Sequence, residues 1–123
     1  MRFAVVAQRS TDTNEALAGA AAALGLDSAV LPPRDALRFL EPGDVALGRL
    51  DVREGLDGIE SGTRELERLA ETGIDLLNPA CALALAHDKL LTARALRLAG
   101  LPHPHTLLIA PASLRPRRSC RSS

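Results

Sequence analysis

Between Asn78 and Thr106 the chain reads NPACALALAHDKLLTARALRLAGLPHPHT, and no other stretch leaves the backbone so few choices. Pro79 lacks an amide hydrogen and so suits a first helical turn, where that donor has no partner anyway; Asn78 before it is placed to cap. The apolar run Ala80 to Ala86 carries this helix to a polar break, His87-Asp88-Lys89, which caps and starts a second one. In the second helix Leu91, Ala95 and Leu98 recur at helical spacing, and Gly100 stops it. Pro102 and Pro104 hold an extended loop up to Thr106, after which Leu107-Leu108-Ile109 reads as a strand.

Two such helices need a sheet to pack on, and the preceding residues supply one. Arg2 to Ala7 (RFAVVA) is a short apolar run of the kind that forms a buried parallel strand. The polar loop Gln8 to Asn14 follows, with Asp12 or Thr13 as helix cap and Glu15 in the first turn. Glu15 to Leu24 is alanine-rich, with Leu17, Ala20, Ala21 and Leu24 on one face, and Gly25 ends it. Leu26 to Leu31 is a second strand stopped by Pro32-Pro33, and Arg34 to Leu40 is a helical turn. Val45 to Leu47 forms a third strand, so that Gly48-Arg49-Leu50-Asp51 falls just past its carboxyl end, where open α/β sheets bind ligands. Asp57-Gly58 and Ser61-Gly62 mark a flexible loop. Thr63 to Thr72 is a helix with Leu66, Leu69 and Ala70 inward and Gly73 as its stop, and Ile74 to Leu77 is a fourth strand feeding Asn78. This alternation specifies an α/β fold: a small, open, mostly parallel sheet with helices on both faces.

The chain has 123 residues, enough for one core and too few for a second. Hydrophobic residues make up 46% and aromatics only 2%, so the core is built from Leu, Ala and Val. The formal net charge is zero, but the distribution is uneven. Arg115, Arg117, Arg118 and Arg121 stand in an acid-free tail, which leaves 11 basic against 15 acidic residues before it. A mildly acidic body argues against a nucleic-acid-binding face. Cys81 and Cys120 lie far apart and suggest no disulfide framework. No apolar run reaches the roughly 20 residues of a membrane span, and MRFAVVAQRS lacks the features of a signal peptide, which predicts no membrane association and a cytoplasmic location.

The segment from Asn78 to Thr106 resembles the end of the N-terminal, pre-ATP-grasp domain of RimK-type ATP-grasp ligases, the carboxylate-amine ligases that include α-L-glutamate ligases. There an Asn-Pro turn, an Asp-Lys at a helix start and a Gly-x-Pro-x-Pro-x-Thr loop lead into the nucleotide-binding domain. All three stand here in order, as Asn78-Pro79, Asp88-Lys89 and Gly100 to Thr106. The resemblance implies a Rossmann-like pre-ATP-grasp domain over residues 1–110. It also implies a reaction in which ATP activates a carboxylate, glutamate in many members, as an acyl phosphate that an amine then attacks, with magnesium on the phosphates.

Site residues follow from position and from this likeness. A lysine at a helix start opposes the helix dipole, so an anion nearby would explain Lys89; the resemblance implies that it lies near the ATP phosphates, and the plain alternative is a solvated lysine paired with Asp88. Arg9, Ser10, Asp12 and Asn14 lie in the first strand-to-helix loop, where Arg9, Ser10 and Asn14 are candidates for contact with an acceptor substrate, against the alternative of a capped helix start. Arg49, after the third strand, suits carboxylate recognition, and the resemblance implies a basic residue of the substrate cleft at this place; a surface arginine is the alternative. His87, His103 and His105 do not make a zinc set, because three or four ligands are needed and neither cysteine is suitably spaced. Neither a phosphate-binding glycine loop nor a catalytic serine motif occurs, and no catalytic residue or metal ligand is assigned.

After Pro111 the family continues with a lysine-bearing strand and a glycine-rich loop, whereas this chain has ASLRPRRSCRSS. Residues 111–123 have no hydrophobic period and are expected to be a disordered Arg/Ser-rich tail outside the fold. The expectation is an N-terminal fragment, truncated or frame-shifted, inactive alone and binding neither ATP nor magnesium tightly. Its partners would be the missing ATP-grasp domain and a small-molecule or peptide acceptor, and a homo-oligomer would also cover the face that domain leaves. The alternative function is a non-catalytic α/β binding or regulatory module with a basic tail; a receiver-like signalling domain fits less well, because no acidic pocket stands at a strand end.

Overall fold

A computed structural model describes residues 1–109, which divide into two compact units, one spanning Met1–Asp88 and the other beginning at Lys89. The sequence expectations for the tail, its disorder included, concern residues outside those described. The first unit is α/β. Its strands are β1 (Arg2–Val6), β2 (Asp27–Leu31), β3 (Val45–Gly48) and β4 (Asp75–Leu77), all parallel, in the order β2-β1-β3-β4. Its helices are α1 (Asp12–Ala23), α2 (Pro33–Phe39), α3 (Thr63–Glu71) and α4 (Ala80–His87).

The order dictates the layers. From β1 the chain crosses one way to β2, and from there the other way to β3 and β4, so right-handed crossovers set α1 on one face and α2 and α3 on the other. Packing agrees: α1 lies on β1 and β2, while α2 packs against α3 and β1. Strand alternation divides the side chains accordingly. Ala4 and Val6 of β1 join Ala36, Ala46, Leu50, Leu66, Leu69 and Leu83 in the main core, and Val5 points to the face that α1 covers.

Several local expectations need correction. Thr11, not Asp12 or Thr13, is the N-cap of α1, accepting a hydrogen bond from the Asn14 amide through Oγ1 at 3.2 Å. The buried face of α1 is Asn14, Ala18 and Ala21, and Leu24 is 83% exposed. Small side chains bring this helix close to the sheet, so the larger leucine is left at its rim. Asn78 does not cap α4; Pro79 holds the cap position, and Asn78 adopts φ 56. A residue before proline is kept out of the right-handed helical region, and asparagine tolerates the left-handed one needed to turn from β4 into α4. The loop marked by Asp57-Gly58 contains pairing that the sequence did not suggest: residues 51–60 form a hairpin, with Val52 bridged to Ile59 and the Glu60 amide donating to the Asp51 carbonyl at 2.8 Å.

The second unit, described by itself, begins with α5 (Lys89–Leu98). Gly100, at φ 69, donates to the Arg97 carbonyl and Leu101 to that of Leu96, which closes the helix in a Schellman motif. Residues 107–109 form no strand, and Leu107, Leu108 and Ile109 are each more than two-thirds exposed. A strand forms only where a neighbour pairs with its backbone.

Candidate functional site

In the sheet order β2-β1-β3-β4 the connections from β1 and β3 leave in opposite directions, and a crevice opens between the carboxyl ends of these strands. A cleft of about 100 Å³ occupies it, lined by Arg9 and Thr11 of the β1–α1 loop, by Asn14 in the first turn of α1, and by Arg49, Leu50 and Asp51 of the loop after β3. Glu60, Asn78, Leu83 and His87 also line it, with Ala7 and Gly48 from the strand ends. A cleft of this size admits a carboxylate-sized group.

Backbone pairing carries the register of β1 and β3 into this site, since the Arg49 amide donates to the Val6 carbonyl at 2.9 Å. Beyond it the loop after β3 is tied to the first turn of α1. Arg49 Nε donates to Asn14 Oδ1 at 3.2 Å, and Asn14 Nδ2 donates to the Arg9 carbonyl at 2.9 Å. Asn14 is only 5% exposed, so its amide is held between these partners. Arg9 pairs with Glu60 at 3.5 Å, and the other Glu60 oxygen accepts from the Asp51 amide at 2.9 Å, which clasps the hairpin base to the β1–α1 loop. His87 Nε2 lies 3.0 Å from the Leu50 carbonyl; a carbonyl only accepts, so this nitrogen carries the hydrogen.

Arg49 differs from the other cleft arginine. Among the described residues no carboxylate stands within 4.0 Å of its guanidinium. Arg49 is exposed, and among the described residues only its Nε is engaged, by a neutral amide, which leaves the terminal nitrogens for the forked geometry that matches a carboxylate.

Of the residues singled out in the sequence, the fold brings Arg9, Asn14 and Arg49 to one cleft. Ser10 is not among its lining; its hydroxyl donates to the Glu15 carboxylate at the start of α1. Lys89 belongs to the second unit, where it is the first residue of α5 and exposed. Sequence reasoning missed Glu60 and His87 as cleft residues. Nothing in the local sequence ties Glu60 to Arg9, since that pair depends on hairpin closure, whereas His87 stood in the polar break and had been weighed only as a metal ligand. A wider groove of about 510 Å³ runs between Pro32–Arg34 and Ser61–Glu65, but it lacks a buried polar side chain of the kind Asn14 supplies.

Among the described residues no three His, Cys, Asp or Glu side chains gather to hold a metal ion, and no helix is long and apolar enough to cross a membrane. Comparison with protein-family models, curated proteins and solved structures gives no match for the chain.

Proposed function

We propose that residues 1–110 are a pre-ATP-grasp domain of the RimK type, and that the β1/β3 cleft takes a carboxylate of the acid or acceptor joined in an ATP-dependent carboxylate-amine ligation. The observation that carries this reading is the Arg49 guanidinium, set at the switch point of a parallel sheet with no carboxylate partner among the described residues. The Asp88-Lys89 pair and the Pro102/Pro104 loop support it from the sequence. In this reading Lys89 serves the ATP phosphates, the acid is glutamate, the setting is cytoplasmic and the partner is an ATP-grasp domain. No step of ligation is assigned to the described residues.

Two measurements test the proposal. Incubated with ATP, magnesium, glutamate and an amine acceptor, the 123-residue chain releases no ADP. Titrated with glutarate, it shows amide chemical-shift changes centred on Arg9, Asn14 and Arg49, and Arg49→Ala abolishes them. Unchanged binding by R49A overturns the carboxylate reading.

A further inference from the structure

We infer that Asn14 is a positioning residue, whose neutral amide aims the Arg49 fork while leaving its charge free for an incoming anion; this rests on the carboxylate reading of the cleft. Asn14 is the third residue of α1 after the Thr11 cap, in the first turn, where the helix dipole favours a negative side chain. It also touches a guanidinium. Both effects favour aspartate at this position, because a buried carboxylate beside Arg49 would form an ion pair and complement the dipole. The chain instead carries the isosteric amide, which accepts from Nε as a carboxylate would but does not neutralise the charge.

Another account of the amide is that its Nδ2 serves the Arg9 carbonyl. That carbonyl belongs to an exposed residue, which water can reach, so this bond alone does not demand asparagine. The burial of Asn14, at 5% exposed, holds Oδ1 where it accepts from Arg49 Nε at 3.2 Å, and that bond orients the otherwise exposed guanidinium. Arg9 is already matched by Glu60, so Arg49 is the cleft arginine whose charge remains uncompensated.

The test compares the full chain with Asn14→Asp, Asn14→Ser and Arg49→Lys by titration with methanesulfonate, which stays ionised in acid, and with glutarate. At neutral pH N14D is expected to bind both probes at least about tenfold more weakly, since hydrogen bonds to charged groups are worth more than neutral ones. R49K, which keeps the charge and loses the fork, should weaken glutarate as well. As pH falls, the new carboxyl of N14D takes up a proton and regains the neutrality of the amide, so its methanesulfonate affinity should approach that of the parent. Arg9, Asp51, Glu60 and His87 also face this cleft, but they are present in both proteins and cancel in the ratio of affinities. A structural role for Asn14 would not produce this pH-dependent ratio. If the parent binds both probes and folded N14D binds them equally well, the inference on Asn14 fails while the carboxylate site stands. If N14D does not fold, N14S decides the matter: the shorter hydroxyl should weaken glutarate, and unchanged binding overturns the inference. Absence of binding by the parent overturns both.

Discussion

The carbonyl oxygen of Asn78 lies where a side chain on Gly48 would begin, 2.5 Å from the position of a Cβ there. Leu66 Cδ1 and Leu83 Cδ1 stand at 3.2 and 3.4 Å from the same point, so the end of β3 is enclosed by backbone on one side and core on the other. Gly48 is thus the residue that lets the left-handed Asn78 turn pass over the strand that delivers Arg49. Gly48→Ala should destabilise the fold by about 2 kcal/mol, because the nearest atom is backbone and cannot rotate away. Urea denaturation would check this, and a loss below about 0.5 kcal/mol would mean that the turn yields.

Asp44 gives the fold an acid-sensitive clasp. Its carboxylate accepts from the Arg2 amide at 2.7 Å and the Glu41 amide at 2.9 Å, and these bonds hold its pKa below the ordinary 3.8. Burial opposes the shift, while the charges of Arg2 and the amino terminus reinforce it. With the folded value depressed, the stabilisation is present above about pH 4, the unfolded range, and is lost as pH falls through the folded value. Thermal melts across acid pH should therefore show a decline that Asp44→Asn reduces. At neutral pH D44N should itself be less stable by on the order of 1 kcal/mol, having one acceptor oxygen where the carboxylate has two.

What could be read from the sequence depended on how sharply each segment contrasted apolar with polar residues. RFAVV and VALG are apolar runs between turn residues, and both are strands of the parallel sheet. In α3 the leucines stand among charges, so Leu66 and Leu69 were legible as buried, whereas Ala70, expected to face inward with them, is exposed. The run ALAGAAAA of α1 offers no such contrast, and its phase is set by Asn14, Ala18 and Ala21 lying close to the sheet, which tertiary packing decides. The cleft was half legible for the same reason. Arg9, Asn14 and Arg49 follow strand ends that the sequence marks, whereas Glu60 arrives through a hairpin closed by contacts distant in sequence.

This difference between α1 and α3 can be measured. Leu66, with no exposed surface, should cost about 3 kcal/mol when replaced by alanine, since the transfer and cavity penalties add. Leu24→Ala, at an 83% exposed position, should change stability by less than about 0.5 kcal/mol. Comparable losses in the two variants would mean that Leu24 is buried after all.

His87 joins the end of α4 to the loop that carries Arg49. Its Nε2 hydrogen goes to the carbonyl of Leu50, a residue only 1% exposed whose side chain is part of the core. Removing the imidazole leaves that carbonyl without this donor, and an unsatisfied buried acceptor costs about 1 to 3 kcal/mol. His87→Ala should fall in that range, whereas His87→Gln, which presents an amide N–H at similar reach, should recover most of the loss. The same pair of variants also reports on the cleft: with the Leu50 carbonyl untethered, Arg49 is less well held, and glutarate should bind H87A more weakly than H87Q. Equal stability in the two variants would show that the bond to Leu50 does not anchor the loop.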